Sequence, residues 1–290
     1  MDPFIPGKIV PYFPGDTYVS PDRTPGLMSR LFPSLMFYTR VYLETTRWIS
    51  ARTKKNVFDK AAQCYACSWC AENCEKTGLN FHILGMDNLD PQNGPCVIVA
   101  NHMSTLETFL LPAILIPRFP ATFVVKRSLV EMRGFGPVLA AYNPVIVDRK
   151  NPREDLATVL KEGCDRLANG ISVVVFPQAT RSDHFDESHF NTIGIKLARK
   201  AGVPVIPLAL KTDAWGQGRL VRELGPIHPQ KDVYMRFFPP MTITGSGHAE
   251  HKLICSIISQ HVAWWEQRQK AKDEGRNLPP LTDPSFELPY

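Results

Sequence analysis

Short apolar runs recur from Cys96 onward, with amphipathic stretches between most of them. The runs are CVIVA (Cys96 to Ala100), TFVVK (Thr122 to Lys126), PVIVD (Pro144 to Asp148), SVVVF (Ser172 to Phe176), PVIPLAL (Pro204 to Leu210) and DVYMRFF (Asp232 to Phe238). Their length and β-branched content mark them as strands. Helical periodicity occupies Leu129 to Ala141, Pro152 to Ala168 and Phe190 to Ala201, and a last helix spans about His248 to Lys270. This alternation predicts an α/β fold, a central, largely parallel sheet flanked by helices. Upstream, residues 1 to 25 are Pro-rich and read as irregular, and 27 to 77 read as helical. Within them, Gly26 to Ser50 mixes Leu, Phe, Met, Tyr and Trp with Arg30, Arg40 and Arg47. That pattern suits a helix lying on a membrane surface, or one packed on the protein's own core. No stretch approaches the ~20 apolar residues of a spanning helix. The tail from Gly275 is Pro-rich and reads as loose.

Composition narrows this picture. The chain has 290 residues and 44% hydrophobic content, enough for one large core with helical additions. A net charge of +5 and a pI near 8.8 permit binding of phosphates, coenzymes or acidic membranes. No long Lys/Arg run points to nucleic acid. The first residues have neither a basic start nor an apolar segment, so no signal peptide is expected. With seven cysteines, a reduced, cytosolic setting follows.

The first strand runs into Asn101-His102-Met103-Ser104-Thr105-Leu106-Glu107, and TFLLPAIL beyond it reads as a helix. Ser104 and Thr105 are N-cap candidates. An imidazole at the carboxyl end of a strand sits where open α/β sheets place their sites. It can take a proton from a hydroxyl, and a carboxylate on its other nitrogen sets the tautomer. Positions five apart lie about 140° apart on a helix. His102 is therefore expected in the turn before the helix, with Glu107 reaching back from the second turn. A capping histidine beside an exposed glutamate fits the same spacing. Lys126, Arg149 and Arg181 end neighbouring strands if the sheet is parallel. Three cations beside one histidine make an anion site next to a general base.

In order, these blocks resemble the glycerolipid acyltransferases, the family that includes 1-acylglycerol-3-phosphate acyltransferase. The family's first block is Asn-His, a Ser, and an Asp five after the His, here NHMSTLE. Its second is an apolar strand ending in Arg, here VIVDR, preceded by Lys126 and Phe135-Gly136. Its third is Phe-Pro-Glu-Gly-Thr-Arg-Ser, here FPQATRS (Phe176 to Ser182). Its fourth is Val-Pro-Val-Ile-Pro-Val, here VPVIPL (Val203 to Leu208). The likeness covers roughly Met86 to Ile258. Two departures stand out: Glu107 replaces the usual Asp, and Gln178-Ala179 replaces Glu-Gly.

The resemblance implies transfer of a fatty acyl group from acyl-CoA or acyl carrier protein to a lysophospholipid hydroxyl. The acceptor most expected is 1-acylglycerol-3-phosphate. His102 would be the general base and Glu107 its partner. Asn101, Ser104, Lys126, Arg149, Gln178, Thr180 and Arg181 would bind substrate. Acyl-CoA or acyl carrier protein is a co-substrate, and no cofactor, metal or nucleic acid is expected. Attachment would be peripheral or monotopic, at the cytoplasmic face of a membrane. The expected division is an N-terminal membrane-associating region over 1–85, an acyltransferase domain over 86–270 and a loose tail over 271–290. A different lipid acceptor, or a non-catalytic homologue that binds lipid or acyl carrier, are the alternatives.

Other groups invite metal readings. Cys64, Cys67, Cys70 and Cys74 have the C-x2-C-x2-C-x3-C spacing of an iron–sulfur run. The segment reads as helical, however, and these positions then form one stripe of small buried side chains. A metal site, redox switching and palmitoylation are the other readings. His184 and His189, with Asp183 and Asp186, read as a polar loop. Trp264 and Trp265 suit a core or an interface equally.

Overall fold

The structure, a computed structural model, describes residues 4–132, 136–178, 180–219 and 221–282. In chain order the elements begin with β1 (Tyr18–Val19), α1 (Leu27–Leu31), α2 (Pro33–Phe37), a wide helical segment Tyr38–Thr45, α3 (Thr46–Thr53), α4 (Lys60–Thr77) and β2 (Phe81–Leu84). Next come β3 (Val97–Ala100), α5 (Leu106–Leu115), β4 (Ala121–Lys126), α6 (Arg127–Val130), α7 (Gly136–Ala140), β5 (Val145–Val147) and α8 (Pro152–Ala168). The chain continues through β6 (Ser172–Val175), α9 (Ile193–Ala201), β7 (Val205–Lys211), β8 (Val233–Phe237) and α10 (His248–Asp273).

The eight strands form one sheet in the order β1-β2-β8-β7-β3-β6-β4-β5. Five pairings are parallel; β1 with β2 and β7 with β8 are antiparallel. The expected α/β fold with a largely parallel sheet is what the chain adopts. Both faces are covered, which accounts for the continuous apolar runs. On one face Ile98, Ala100, Val174, Ile206 and Leu208 pack under α4 and α5. On the other Val97, Val99, Val173, Val175 and Val205 pack under α8, α9 and α10. A Cβ on Gly194 would lie 2.6 Å from Val99 Cγ2, so glycine lets α9 close on the sheet.

Differences from the sequence reading lie mainly at the edges. The proline-rich start is not irregular throughout, because β1 pairs with β2, a strand without a clear sequence signal. Side chains hold it there. The buried Glu75 carboxylate accepts hydrogen bonds from Tyr12 Oη (2.7 Å), Tyr18 Oη (2.6 Å) and Ser20 Oγ (2.6 Å). The helical stretch expected over 27 to 77 is broken at Phe32, which precedes Pro33 and leaves the helical region (φ −135°, ψ 63°). It breaks again between Thr53 and Lys60, where Asp59 caps α4 by accepting from Ala62 N at 2.8 Å. The helix expected over 129 to 141 is replaced by the short α6 and α7. Phe135 lies outside the described residues.

Two further groups of side chains have their places in the fold. Cys64, Cys67, Cys70 and Cys74 are all buried on α4. Burial pushes the Cys64 thiol up to about 11. Among the described residues, no three His, Cys, Asp or Glu side chains are grouped to hold a metal. Trp265 is fully buried. Its indole N–H and that of Trp264 donate to the carbonyls of Leu281 and Pro280, which lays the start of the tail back along α10. Residues 283–290 lie outside the described part. Among the described residues, no helix is long and apolar enough to cross a membrane.

Candidate active site

His102 lies in the turn after β3, which pairs in parallel with β6 and β7, and Glu107 lies in the first turn of α5. The helix starts at Leu106, so Glu107 reaches back by less than the expected second turn. His102 Nδ1 and Glu107 Oε1 are 2.8 Å apart. The Glu107 side chain is fully buried, and every lone-pair direction meets a donor. Oε1 also accepts from Met103 N (2.8 Å) and Ser104 N (3.0 Å). Oε2 accepts from Thr212 Oγ1 (2.5 Å) and lies 2.9 Å from Ser104 Oγ. Burial alone would raise this carboxyl's pKa. The hydrogen bond and charge of His102, with the Thr212 hydroxyl and the Ser104 N–H, outweigh burial and hold it below the usual carboxylate range. The carboxylate also lies in the first turn of its own helix, where the backbone dipole favours negative charge. The reading of Glu107 as an exposed helix residue is thereby excluded.

The remaining predicted residues divide by what they touch. Asn101 is buried, and its amide is spent on β7: Nδ2 donates to Leu210 O and Oδ1 accepts from Leu210 N, each at 2.8 Å. Gln178 is buried as well, and its Oε1 accepts the His102 backbone N–H at 2.7 Å. Ser182 N donates to His102 O at 3.0 Å, closing the same turn against the third block. Asn101, Ser104 and Gln178 therefore support the turn that carries His102 and Glu107, and Gln178 also lines a cavity beside it. Ala179 lies outside the described residues.

His102, Lys126, Arg149, Thr180 and Arg181 line one cavity of about 420 Å³. They come from the carboxyl ends of β3, β4, β5 and β6, as a parallel sheet requires. Arg149 takes a left-handed backbone (φ 57°), uncommon for a residue with a Cβ. Burial lowers its guanidinium pKa, Asp155 opposes that, and nearby Arg181 adds to it. Arg181 donates from Nη1 to Thr105 Oγ1 and from Nη2 to Glu223 Oε1 (2.6 Å). A second cavity of about 390 Å³ adjoins the first and shares Arg149 with it. Its walls include Val124, Val147, Leu156, Val159 and Val175. Phe176 stacks on the His102 ring (centroids 4.3 Å apart, 20° between planes) and forms part of that apolar wall.

Sequence reasoning missed Thr212, Arg222 and Glu223. Thr212 directly follows β7, so a polar residue at that strand end was visible; that β7 pairs with β3 was not. Arg222 and Glu223 also line the cavity, from an aperiodic loop that carries no signal. The histidines in the loop after β6 remain outside the site. His189 Nδ1 lies 2.8 Å from Asp186 on the surface.

The family model described as Acyltransferase matches residues 80–211. A 1-acyl-sn-glycerol-3-phosphate acyltransferase of Pseudomonas aeruginosa is 36% identical over 132 residues, covering 46% of this chain and 49% of that protein. One of Borreliella burgdorferi is 28% identical over 188 residues, covering 64% and 71%. The chain thus spans about half the length of the first of these relatives. The crystal structure of the 1-acyl-sn-glycerophosphate (LPA) acyltransferase PlsC from Thermotoga maritima superimposes with a TM-score of 0.57 at 21% identity, covering 82% of this chain and 96% of that one. At that identity the likeness speaks to the fold.

Proposed function

We propose, from the premise that residues 80–211 belong to the acyltransferase family, that the chain transfers a fatty acyl group from acyl-CoA or acyl carrier protein to 1-acylglycerol-3-phosphate, giving phosphatidate. The observation that carries this reading is the His102–Glu107 pair at the wall of a cation-lined cavity. With Nδ1 held by Glu107, Nε2 is the nitrogen left to face the acceptor hydroxyl. It takes the hydroxyl proton as the oxygen attacks the thioester carbonyl. The tetrahedral intermediate collapses, the C–S bond breaks, and the imidazolium returns its proton to the departing thiolate. Glu107 stabilises the imidazolium in between. No acyl-enzyme forms, because no serine or cysteine acts as nucleophile.

Lys126, Arg149 and Arg181 hold the acceptor phosphate, with Thr180 beside them. Backbone N–H groups of the third block serve the oxyanion; that of Ser182 is already taken by His102 O. The apolar second cavity suits an acyl chain next to the reacting carbonyl. Leu27 (69% exposed), Leu31 (60%), Phe32 and Leu35 project from α1 and α2 beside exposed Arg30. That surface suits peripheral attachment to an anionic bilayer, from which a lysophospholipid would be drawn.

The replacement of the family's Glu-Gly by Gln178-Ala179 is the feature that would favour a different acceptor. Gln178 accepts a backbone N–H, which a glutamate does equally, so the exchange at this position favours no change of acceptor. An intact, fully bonded dyad likewise speaks against a non-catalytic homologue. Thiol release from acyl-CoA and from acyl carrier protein, measured across a panel of acceptors, tests the proposal. Release that depends on lysophosphatidate supports it. Release only with another acceptor replaces the substrate, and none with any acceptor removes the activity.

A further inference from the structure

Arg181 enters the cavity already occupied. Its Nη2 holds Glu223 Oε1 at 2.6 Å, with the two side chains 13% and 23% exposed. Among the described residues, Glu223 is the lone carboxylate on a wall that carries Lys126, Arg149, Arg181 and Arg222. Its placement is specified by a braced loop between β7 and β8. Gly216 N donates to Pro226 O (2.8 Å), and Gly225 leaves no room for a Cβ against the Gly216 carbonyl. Outside the loop, Tyr38 Oη donates to Gly225 O (2.6 Å) and Ile227 N donates to Ser34 Oγ (2.9 Å).

We infer that Glu223 is a resident stand-in for the acceptor's phosphate, one that a phosphate monoester must displace from Arg181 when it binds. The inference rests on the reading of this cavity as the acceptor site. A phosphate monoester carries about −1.5 to −2 charge at neutral pH and three strong acceptor oxygens, against one charge and two oxygens for the carboxylate. The exchange therefore favours a monoester. An acceptor without phosphate leaves the Arg181–Glu223 pair intact. The pair gives a largely buried guanidinium its counter-charge, where the Thr105 hydroxyl supplies only a neutral acceptor. Arg222, adjacent to Glu223 on the loop, is placed to join the phosphate when the carboxylate leaves.

The test is calorimetric binding of glycerol 3-phosphate to the full chain, a readout independent of turnover. Glu223→Gln removes the competitor and should tighten binding about fivefold, the scale of one partly exposed ion pair. In an Arg181→Ala background the same substitution should change nothing. A residue that merely orders the loop would, on substitution, weaken binding. Weaker or unchanged binding in Glu223→Gln, an equal effect with and without Arg181, or no binding by either wild type or Glu223→Gln overturns the inference. If glycerol 3-phosphate binds as described while wild type releases no thiol with lysophosphatidate, the exchange stands and the acyl-transfer reading fails.

Discussion

The hydroxyl of Thr212 stands 2.5 Å from Oε2 of Glu107, the carboxylate oxygen that His102 does not use. Three residues from two neighbouring strand ends thereby form one chain, Thr212 to Glu107 to His102. Thr212 is wholly buried, so water cannot replace its proton. Thr212→Val should leave that oxygen short of a donor, at a cost of roughly 1–3 kcal/mol in stability. It should lower turnover by about tenfold through a looser imidazole. Thr212→Ser should restore both. Denaturant titration and steady-state kinetics on the pair of variants check this; equal loss in Val and Ser variants would show that packing, not the hydroxyl, matters.

Glu107 sets a pH dependence whose sign can be worked out. Its carboxyl is held below its ordinary value near 4.5 in the folded protein. Between the two values the unfolded chain binds a proton that the folded one refuses. The contribution to stability is complete above the ordinary value and is lost as pH falls through the folded one. Glu107→Gln removes this linkage, so its stability should fall less steeply than wild type's below about pH 5. It should also lose about 10²–10⁴ in turnover, since the imidazolium forfeits its counter-charge. Denaturation midpoints across the acid range and kcat at neutral pH give the two readouts.

Gln178 should tolerate its family counterpart. Gln178→Glu keeps an acceptor for the His102 N–H and should retain activity within about threefold, whereas Gln178→Leu should lose on the order of tenfold or more. The comparison is made in kcat with lysophosphatidate. A Glu variant as impaired as the Leu variant would mean that the neutral amide has a role beyond accepting this bond.

Asn101 should behave as a structural residue. Asn101→Ala removes both bonds to Leu210 in a buried setting and should destabilise by about 1–3 kcal/mol. Its lysophosphatidate KM should move little, while Arg181→Ala should raise it well over tenfold. A large KM change for Asn101→Ala at unchanged stability would put the amide on the substrate.

Much of this was legible in the chain because apolar runs mark strands and polar residues at their carboxyl ends mark a site. All six predicted strands formed, and His102, Lys126, Arg149 and Arg181 met in one cavity. What was hidden depends on contacts between distant residues. Strand β1 rests on three hydroxyls meeting Glu75, 55 to 63 positions away. Thr212 becomes part of the dyad only through the pairing of β7 with β3. Position alone does not show that the Asn101 amide bonds the backbone of Leu210 or that Gln178 Oε1 accepts the His102 N–H; only the three-dimensional arrangement does. Glu223 lies in a loop whose course is set by glycines and by two bonds to the N-terminal helical region, which no local pattern records.

The central claim is that His102 takes the acceptor proton. Thiol release from acyl-CoA or acyl carrier protein with lysophosphatidate, in wild type and His102→Ala at equal Tm, tests it most directly. The imidazole is 14% exposed at a cavity wall, so its removal should leave the fold standing. Loss of about 10³-fold or more in rate is predicted for the variant. Near-wild-type release from a folded His102→Ala protein would contradict the account.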